Sequence, residues 1–252
     1  MATAPPVGPK SPSKAREVAR QSLVTETDPR SAAAEAYRTL RTNIRFAGLD
    51  SPCRTILITS ASPGEGKSTT AANFGIAAAQ QADSRVCIVD SDMRRPMLHR
   101  MFGLTNTRGL MTALLEGGTL ETVAQATHIK NLSVVTSGPL PPNPAELVGS
   151  NRMRECLETA TKQYDIVLLD SPPVISVSDA LALAAQCEGV ILVVRSGKIP
   201  QAVVKRTVEH IEAVKGRILG IVLNSVDLRR DGYYYDYYRY YASYYGQPKP
   251  KA

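Results

Sequence analysis

Short apolar runs alternate with longer segments of helical spacing along most of the chain. The runs have the length of strands, and they predict strands at residues 55–59, 86–89, 132–136, 166–169, 190–194 and 218–223. The segments between them predict helices, which include residues 66–81, 149–162, 178–186 and 200–214. Strands without apolar–polar alternation are buried on both faces, as in a parallel sheet that helices cover on both sides. The pattern therefore predicts an α/β fold with a doubly wound, mainly parallel sheet.

The two ends of the chain differ in composition from this middle part. The chain therefore divides into three regions. Residues 1–28 begin with a stretch of Pro, Ser and scattered basic residues, and we expect a flexible leader there. A helix predicted at residues 31–47 follows, within a domain that spans residues 29–227. Residues 228–252 are tyrosine-rich and of low complexity, which predicts a flexible tail.

Composition excludes several classes of protein. Of 252 residues, 43% are hydrophobic and 21% are charged, which suits one large globular domain. No apolar stretch approaches the roughly 18 residues of a membrane-spanning helix, so an integral membrane protein is not expected. The four cysteines form no C-x-x-C pair, which argues against a zinc ribbon or a redox pair. The net charge of +7 comes from scattered residues, so nucleic acid is not an expected partner.

A phosphate-binding loop follows the first strand, in the segment SASPGEGKSTT that leads into a helix. Gly64 and Gly66 allow the backbone to turn its N–H groups towards phosphate oxygens. Lys67 can reach the β- and γ-phosphates, and the Ser68 hydroxyl can bind Mg²⁺. The first glycine of the usual pattern is replaced by Ala61, which affects only the entry to the turn. The predicted nucleotide-binding residues are Pro63, Gly64, Glu65, Gly66, Lys67, Ser68 and Thr69.

Aspartates follow two of the predicted strands. Asp90 and Asp92 end the run at 86–89, and Asp170 ends the run at 166–169. Since parallel strands of a doubly wound sheet end at the same edge, these carboxylates should converge on the phosphate loop. Asp170 has the position of a Walker-B carboxylate, which holds the Mg²⁺ shell. The alternative for an aspartate at a strand end is a helix N-cap, and it applies most to Asp92.

The tyrosines of the tail are candidate phosphate acceptors. A phenol has a pKa of about 10, so a base such as Asp90 would help a tyrosine hydroxyl to attack a phosphate at neutral pH. The alternative is a sticky aromatic segment, but the tail has few aliphatic residues and contains interleaved Gly, Ser, Asp and Arg. The candidate acceptors are Tyr233, Tyr234, Tyr235, Tyr237, Tyr238, Tyr240, Tyr241, Tyr244 and Tyr245.

Several separate segments together resemble the bacterial tyrosine kinases that control export of capsular and extracellular polysaccharide. The resemblance covers roughly residues 30 to 245, and it rests on EAYRTLRTNI, SASPGEGKST, IVDSDMRRP, GPLPPNPAEL, IVLLDSPP and the tyrosine cluster. This family is similar to the MinD/ParA branch of P-loop ATPases. That branch has a signature lysine where this chain has Ser62, followed by Pro63, and the difference favours a kinase.

The resemblance implies roles for the site residues. Lys67 would hold the phosphates of ATP, and Ser68, Asp92 and Asp170 would hold Mg²⁺. Asp90 and Asp92 would form the second Walker pair of the family, in which Asp90 is the expected base. The implied reaction transfers phosphate from ATP to protein tyrosines, including those of the chain's own tail.

The resemblance also implies contacts with other molecules. Glu35, Arg38 and Arg41 match an interface motif that would join copies of the chain into a ring, in which each tail reaches a neighbour's site. Their alternative is a solvated helix face with an intrahelical ion pair. Asn224 matches a position that contacts adenine, although a polar turn residue is an equal alternative. A transmembrane activator, separate or fused, would bring the domain to the inner face of the cell membrane.

Two further readings remain from the residues themselves. The chain could be an ATP-gated assembly module whose tail and ring control the export machinery without specific kinase chemistry. It could instead be a cargo-positioning ATPase of the MinD/ParA type. Phosphotyrosine formation separates the kinase from both.

Overall fold

The structure is a computed structural model that describes residues 21–47 and 53–227. Within these residues, seven strands form one sheet: β1 (Thr55–Ser60), β2 (Val86–Asp90), β3 (Gln125–Ala126), β4 (Leu132–Val135), β5 (Ile166–Asp170), β6 (Gly189–Arg195) and β7 (Ile218–Asn224). The strand order is β3-β4-β2-β5-β1-β6-β7, and every pairing is parallel except that of β3 with β4. The predicted doubly wound, mainly parallel sheet is therefore confirmed.

Helices connect these strands and cover the sheet. They are α1 (Val24–Thr27), α2 (Ala32–Ala47), α3 (Lys67–Ala79), α4 (Leu98–Met101), α5 (Leu110–Glu116), α6 (Leu120–Val123), α7 (Pro144–Val148), α8 (Asn151–Gln163), α9 (Asp179–Ala184) and α10 (Gln201–Ala213). The short strand β3, of two residues, was not predicted from the sequence. In the part of the chain that the structure describes, none of the helices combines the length and apolar character needed to cross a membrane.

Each face of the sheet packs against its own layer of helices. Ile56 and Ile58 of β1 belong to a cluster with Phe74 of α3, whereas Leu57, between them, packs in a cluster with Met153 of α8. All six residues of β1 are buried. Burial on both faces explains why the central strands are continuous apolar runs.

Strand register brings the site together. β1 lies between β5 and β6, and β2 lies on the other side of β5. Asp90 of β2 pairs directly with Asp170 of β5, and Ile58 of β1 pairs with Asp170 from the opposite side. The carboxyl ends of these strands therefore meet next to the loop that follows β1.

The folded domain begins before residue 29, where the sequence placed its boundary. Leu23 is fully buried in the core next to α3. Asn73 fixes the adjoining backbone: its Oδ1 accepts the Thr25 N–H at 2.9 Å, and its Nδ2 donates to the Ser22 carbonyl at 2.8 Å. One buried leucine and one buried amide thus hold residues 22–25, which the leader's polar composition did not indicate. Residues 1–20 and the predicted tail at 228–252 lie outside the described residues.

Candidate functional site

The loop between β1 and α3 has the backbone shape that its glycines suggest. Gly64 and Gly66 have φ of +79° and +94°, in the left-handed region that favours glycine. A Cβ at Gly66 would also lie 2.0 Å from Nδ2 of Asn224. α3 begins at Lys67, directly after this turn, so the positive end of the helix dipole faces the loop.

A cavity of about 490 Å³ lies over the loop. Most of the predicted nucleotide-binding residues line it: Pro63, Gly64, Gly66, Lys67, Ser68 and Thr69. The opposite wall contains Asp92, Arg94, Pro172 and Pro173. Glu65 differs from the other loop residues because it is only 2% exposed and does not line the cavity. This cavity is large enough for a bound nucleotide.

Lys67 forms an ion pair with Asp92, which also lines the cavity. Its Nζ lies 3.0 Å from Oδ2 of Asp92, and both side chains are largely buried. Burial alone would lower the pKa of Lys67, but the charges of Asp170, Asp92 and Asp90 outweigh it and raise that pKa. Lys67 is therefore held in its charged form, as a phosphate partner must be.

Asp90 lies behind this pair and is fully buried. Its Oδ2 accepts the N–H groups of Met97 and Leu98 at 3.0 and 2.9 Å, where α4 begins. Burial, followed by the charge of Asp170, raises the pKa of Asp90 well above its usual value. Asp90 therefore accepts N–H groups at the start of a helix, the role that the sequence analysis considered mainly for Asp92.

Asp170 is equally buried, beside Asp90 in the sheet. Burial raises its pKa to about 6, while the charge of Lys67 and the nearby Ser68 hydroxyl act in the opposite direction. Neither oxygen of Asp170, nor Oδ1 of Asp90, has a hydrogen-bond partner of good geometry among the described residues. Buried oxygens without partners are costly unless a ligand completes them.

These oxygens fit the donor set of Mg²⁺. Protein sites for Mg²⁺ usually supply one or two carboxylates, while phosphates and water complete the coordination shell. Asp170, the Ser68 hydroxyl and Oδ1 of Asp90 are donors of this kind. Asp92, which the sequence also assigned to the metal, has other partners here: Lys67 at Oδ2 and the Arg95 N–H at Oδ1, 3.0 Å away. No group of three or more His, Cys, Asp or Glu arranged to hold a metal occurs within residues 21–47 and 53–227.

The cavity wall also contains Arg94, a cation to which sequence reasoning gave no role. Nε of Arg94 lies 2.7 Å from Oδ2 of Asp179, and its Nη2 lies 3.4 Å from Oδ1. Asp179 is 2% exposed, so it holds the guanidinium at the mouth of the cavity. The signal was the DMRRP segment after β2, but its buried partner is 85 residues further along the chain.

The predicted interface residues have partners inside the chain. Glu35 and Arg38 form an ion pair of 2.6 Å on α2, and Arg38 also donates to the Pro29 carbonyl. Nη1 of Arg41 donates to the Ala77 carbonyl near the end of α3, at 2.9 Å. The intrahelical ion pair considered from the sequence is therefore present, and the ring interface stays a prediction.

Comparisons with known proteins identify the family. A model of the ParA family, described as NUBPL iron-transfer P-loop NTPase, matches residues 52–231. Tyrosine-protein kinase YwqD of Bacillus subtilis is 42% identical over 218 residues, which are 85% of this chain and 92% of the relative. Tyrosine-protein kinase wzc of Salmonella typhimurium is 33% identical over 86% of this chain, but over only 30% of its own length. The crystal structure of the chimerical protein CapA2B2 superposes with a TM-score of 0.77 at 42% identity, covering 82% of this chain and 90% of that one.

Proposed function

The chain belongs to the ParA group of P-loop NTPases and, within it, to the bacterial tyrosine-protein kinases, and we propose that it phosphorylates the tyrosines of its own tail. The observation that carries this proposal is the Lys67–Asp92 pair at the edge of the cavity, with two buried carboxylates behind it. A cation for phosphates, oxygen donors for Mg²⁺ and a carboxylate on the cavity wall are the groups that phosphoryl transfer to a hydroxyl requires.

Binding of ATP would rearrange the pair. The phosphates of ATP would compete with Asp92 for Lys67, while the loop N–H groups and the start of α3 bind the phosphate oxygens. Ser68 and Asp170, with support from Asp90, would hold Mg²⁺, which would neutralise charge on the phosphates. When ATP binds, Asp92 would therefore lose its ion pair with Lys67. Its carboxylate would then be free on the cavity wall.

The proton of the tyrosine hydroxyl then needs an acceptor. The sequence favoured Asp90, but Asp90 is fully buried and does not line the cavity, whereas Asp92 does. We therefore propose Asp92 as the group that meets the hydroxyl, and Asp90 as the support of the metal shell through Oδ1. The two assignments differ in one respect: Asp92→Asn should reduce phosphotransfer more than Asp90→Asn if Asp92 is the acceptor.

The tail would be phosphorylated in trans within a ring of copies. A mixing experiment tests this: a Lys67→Met chain, which keeps its tail, is combined with an active chain ending at residue 227. Phosphotyrosine on the Lys67→Met chain supports transfer between copies. Phosphorylation of the full-length wild-type chain by itself, with none on the Lys67→Met chain in the mixture, contradicts it. Absence of phosphotyrosine from both samples would favour the ATP-gated assembly module.

The ring would depend on Glu35, Arg38 and Arg41. Each phosphotyrosine adds about −1.5 to −2 charges near neutral pH, so a heavily phosphorylated tail should be repelled by a site that contains three carboxylates. Light scattering should show an oligomer for the dephosphorylated chain and a smaller species for the phosphorylated one. Arg38→Ala combined with Arg41→Ala should be monomeric, and Arg45→Ala, an exposed residue of the same helix, is the matched control. The same mass for all samples would rule out the ring.

A membrane-spanning activator and a role in polysaccharide export complete the proposal. Wzc, of which this chain matches only 30%, shows that such a domain occurs within much longer proteins. An activator would act at the inner face of the membrane by raising the rate of tail phosphorylation. Deleting the gene for the chain, and separately replacing Lys67 by Met, should reduce surface polysaccharide to the same extent if kinase activity is what the export machinery requires.

A further inference from the structure

Glu65 is the most buried residue of the GEGKS segment, with an exposure of 2%. Its Oε1 accepts the Ser62 N–H at 2.5 Å, at the beginning of the loop. Its Oε2 accepts the Arg195 N–H at 3.0 Å, at the end of β6. The Glu65 carboxylate thus connects the beginning of the loop, at Ser62, to the end of the neighbouring strand β6.

Two carbonyl groups of the loop are also held from outside. Nδ2 of Asn224, at the end of β7, donates to the Glu65 carbonyl at 2.8 Å. Nη1 of Arg195 donates to the Gly64 carbonyl at 3.4 Å. Oδ1 of Asn224 accepts the Ser225 N–H at 2.8 Å, which fixes the orientation of the amide.

These contacts determine where the loop N–H groups point. In a trans peptide the carbonyl and the following N–H lie on opposite sides of the chain. Holding the Gly64 and Glu65 carbonyls therefore turns the N–H groups of Glu65 and Gly66 away from Arg195 and Asn224. Oxygen atoms that would repel phosphate are bound to donors, and N–H donors are left for the ligand.

We propose that Glu65, Arg195 and Asn224 form a loop clamp, a set of positioning residues that holds the phosphate loop in its binding shape before nucleotide arrives. Preorganised donors avoid the free-energy cost of ordering the loop upon binding. The inference rests on the proposed nucleotide site. It also gives Asn224 a role other than the adenine contact that the family resemblance implies, because both polar groups of its side chain have partners in the chain.

The sign of the effect of Glu65→Gln separates the clamp from simple electrostatics. Removing a negative charge near the phosphates would by itself strengthen nucleotide binding. Glutamine, however, replaces one acceptor by an NH₂ group, which opposes either the Ser62 N–H or the Arg195 N–H. The clamp therefore predicts weaker binding, by about tenfold for one disrupted buried hydrogen-bond pair.

Glu188 provides a matched control at the opposite edge of the sheet. Its Oε2 accepts the N–H groups of Arg54 and Thr55, the latter at 3.1 Å, so it also joins β6 to β1 through two backbone donors. Glu188→Gln should lower the melting temperature without changing nucleotide affinity. A loss of affinity that follows only from destabilisation would appear in both variants.

The test is a titration of fluorescent ADP and competition by ATP and GTP, on full-length protein whose folding is checked by thermal melting. We expect Glu65→Gln to weaken all three nucleotides about tenfold, and Asn224→Ala to weaken ATP and GTP by the same factor. In steady-state kinetics the KM for ATP should rise more than kcat falls.

Three other results would each contradict a different part of this proposal. Unchanged or tighter binding by Glu65→Gln overturns the clamp. A loss confined to ATP in Asn224→Ala makes Asn224 an adenine contact and removes it from the clamp. Normal nucleotide binding by Lys67→Met would instead overturn the proposed nucleotide site itself, which is a separate failure. Should Glu65→Gln fail to fold, Asn224→Ala, at a half-buried position, decides the matter alone.

Discussion

At the amino edge of the sheet, Asp165 and Glu188 are exposed, and each accepts a backbone N–H from the neighbouring strand. At the carboxyl edge, Asp90 and Asp170 are fully buried next to each other, and three of their four oxygens lack a hydrogen-bond partner among the described residues. Carboxylate side chains therefore accept backbone hydrogen bonds at one edge of the sheet, and at the other edge they are buried with most of their oxygens unpaired within the part of the chain that the structure describes.

The difference separates stability from function. A carboxylate that accepts backbone N–H groups in contact with water stabilises the strand end at little cost. Burial raises the pKa of both Asp90 and Asp170, and the charge of Asp170 raises that of Asp90 further. Buried carboxylates of this kind destabilise the fold unless a cation completes the site. Lys67 supplies part of this charge, and Mg²⁺ with nucleotide would supply the rest. Clusters of this kind mark functional sites.

The largest effect should come from removing the cation at the carboxyl edge. Lys67→Met takes away the phosphate partner and leaves three carboxylates without it, so measurable nucleotide binding should disappear. Arg54→Met removes a cation just before the other end of β1, where it donates to the Thr161 carbonyl, and should leave binding unchanged. Titration with fluorescent ADP compares the two, and similar affinities would contradict the assignment of the site.

The second effect concerns phosphotransfer. Asp90→Asn keeps the acceptor for the Met97 and Leu98 N–H groups but removes the charge that faces Asp170. Nucleotide should still bind, while tyrosine phosphorylation falls because the metal shell loses the support of Oδ1, by less than the roughly 10²-fold expected for Asp92→Asn, which removes the proposed proton acceptor. Asp165→Asn, at the amino end of β5, should have no such effect. A loss of phosphorylation as large as that of Asp92→Asn would instead return the role of proton acceptor to Asp90.

The third effect is a pH dependence of the gain in nucleotide affinity that Mg²⁺ causes. A carboxylate must be ionised to bind the metal, and burial raises the pKa of Asp170 to about 6. The gain in nucleotide affinity caused by Mg²⁺ should therefore be complete at pH 7.5 and fall as the pH passes below about 6, by up to about tenfold per pH unit. Binding measured with EDTA is the control. A Mg²⁺ effect that is constant down to pH 5 would remove Asp170 from the metal shell.

The smallest effect is a gain in stability. Because the pKa of Asp90 is raised in the folded protein, the wild type becomes more stable as the pH falls from neutral towards the unfolded value of about 4. Asn does not titrate, so Asp90→Asn should melt a few degrees higher at pH 7.5. This advantage should shrink at pH 5. A lower melting temperature at pH 7.5 would show that the buried charge is already compensated within the protein.

The sequence predicted the elements that depend on local pattern. The buried strands, the glycine turn and the convergence of Lys67, Asp90 and Asp170 follow from apolar runs, the GKS segment and the rule that parallel strands end at one edge. The structure confirms the fold, and it brings these three residues together.

The rest depends on contacts between distant parts of the chain. Glu65 accepts the N–H of a residue 130 positions away, and Asn73 holds a backbone segment 48 to 51 positions before it. Glu65 lies in a loop and Asn73 in a helix, and the sequence next to each residue does not identify the backbone groups to which it binds. The same holds for the burial of Asp90 behind Asp92, which only the packing of the segment after β2 determines.

The most direct test is phosphotyrosine formation by the purified, dephosphorylated chain with Mg²⁺ and ATP, measured by an anti-phosphotyrosine blot and located by mass spectrometry. The wild type should accumulate phosphate on tyrosines between residues 233 and 245, Asp92→Asn should do so roughly 10² times more slowly, and Lys67→Met should form none. Phosphotyrosine at the wild-type rate in Lys67→Met, or none in a wild-type chain that binds nucleotide, would contradict the account.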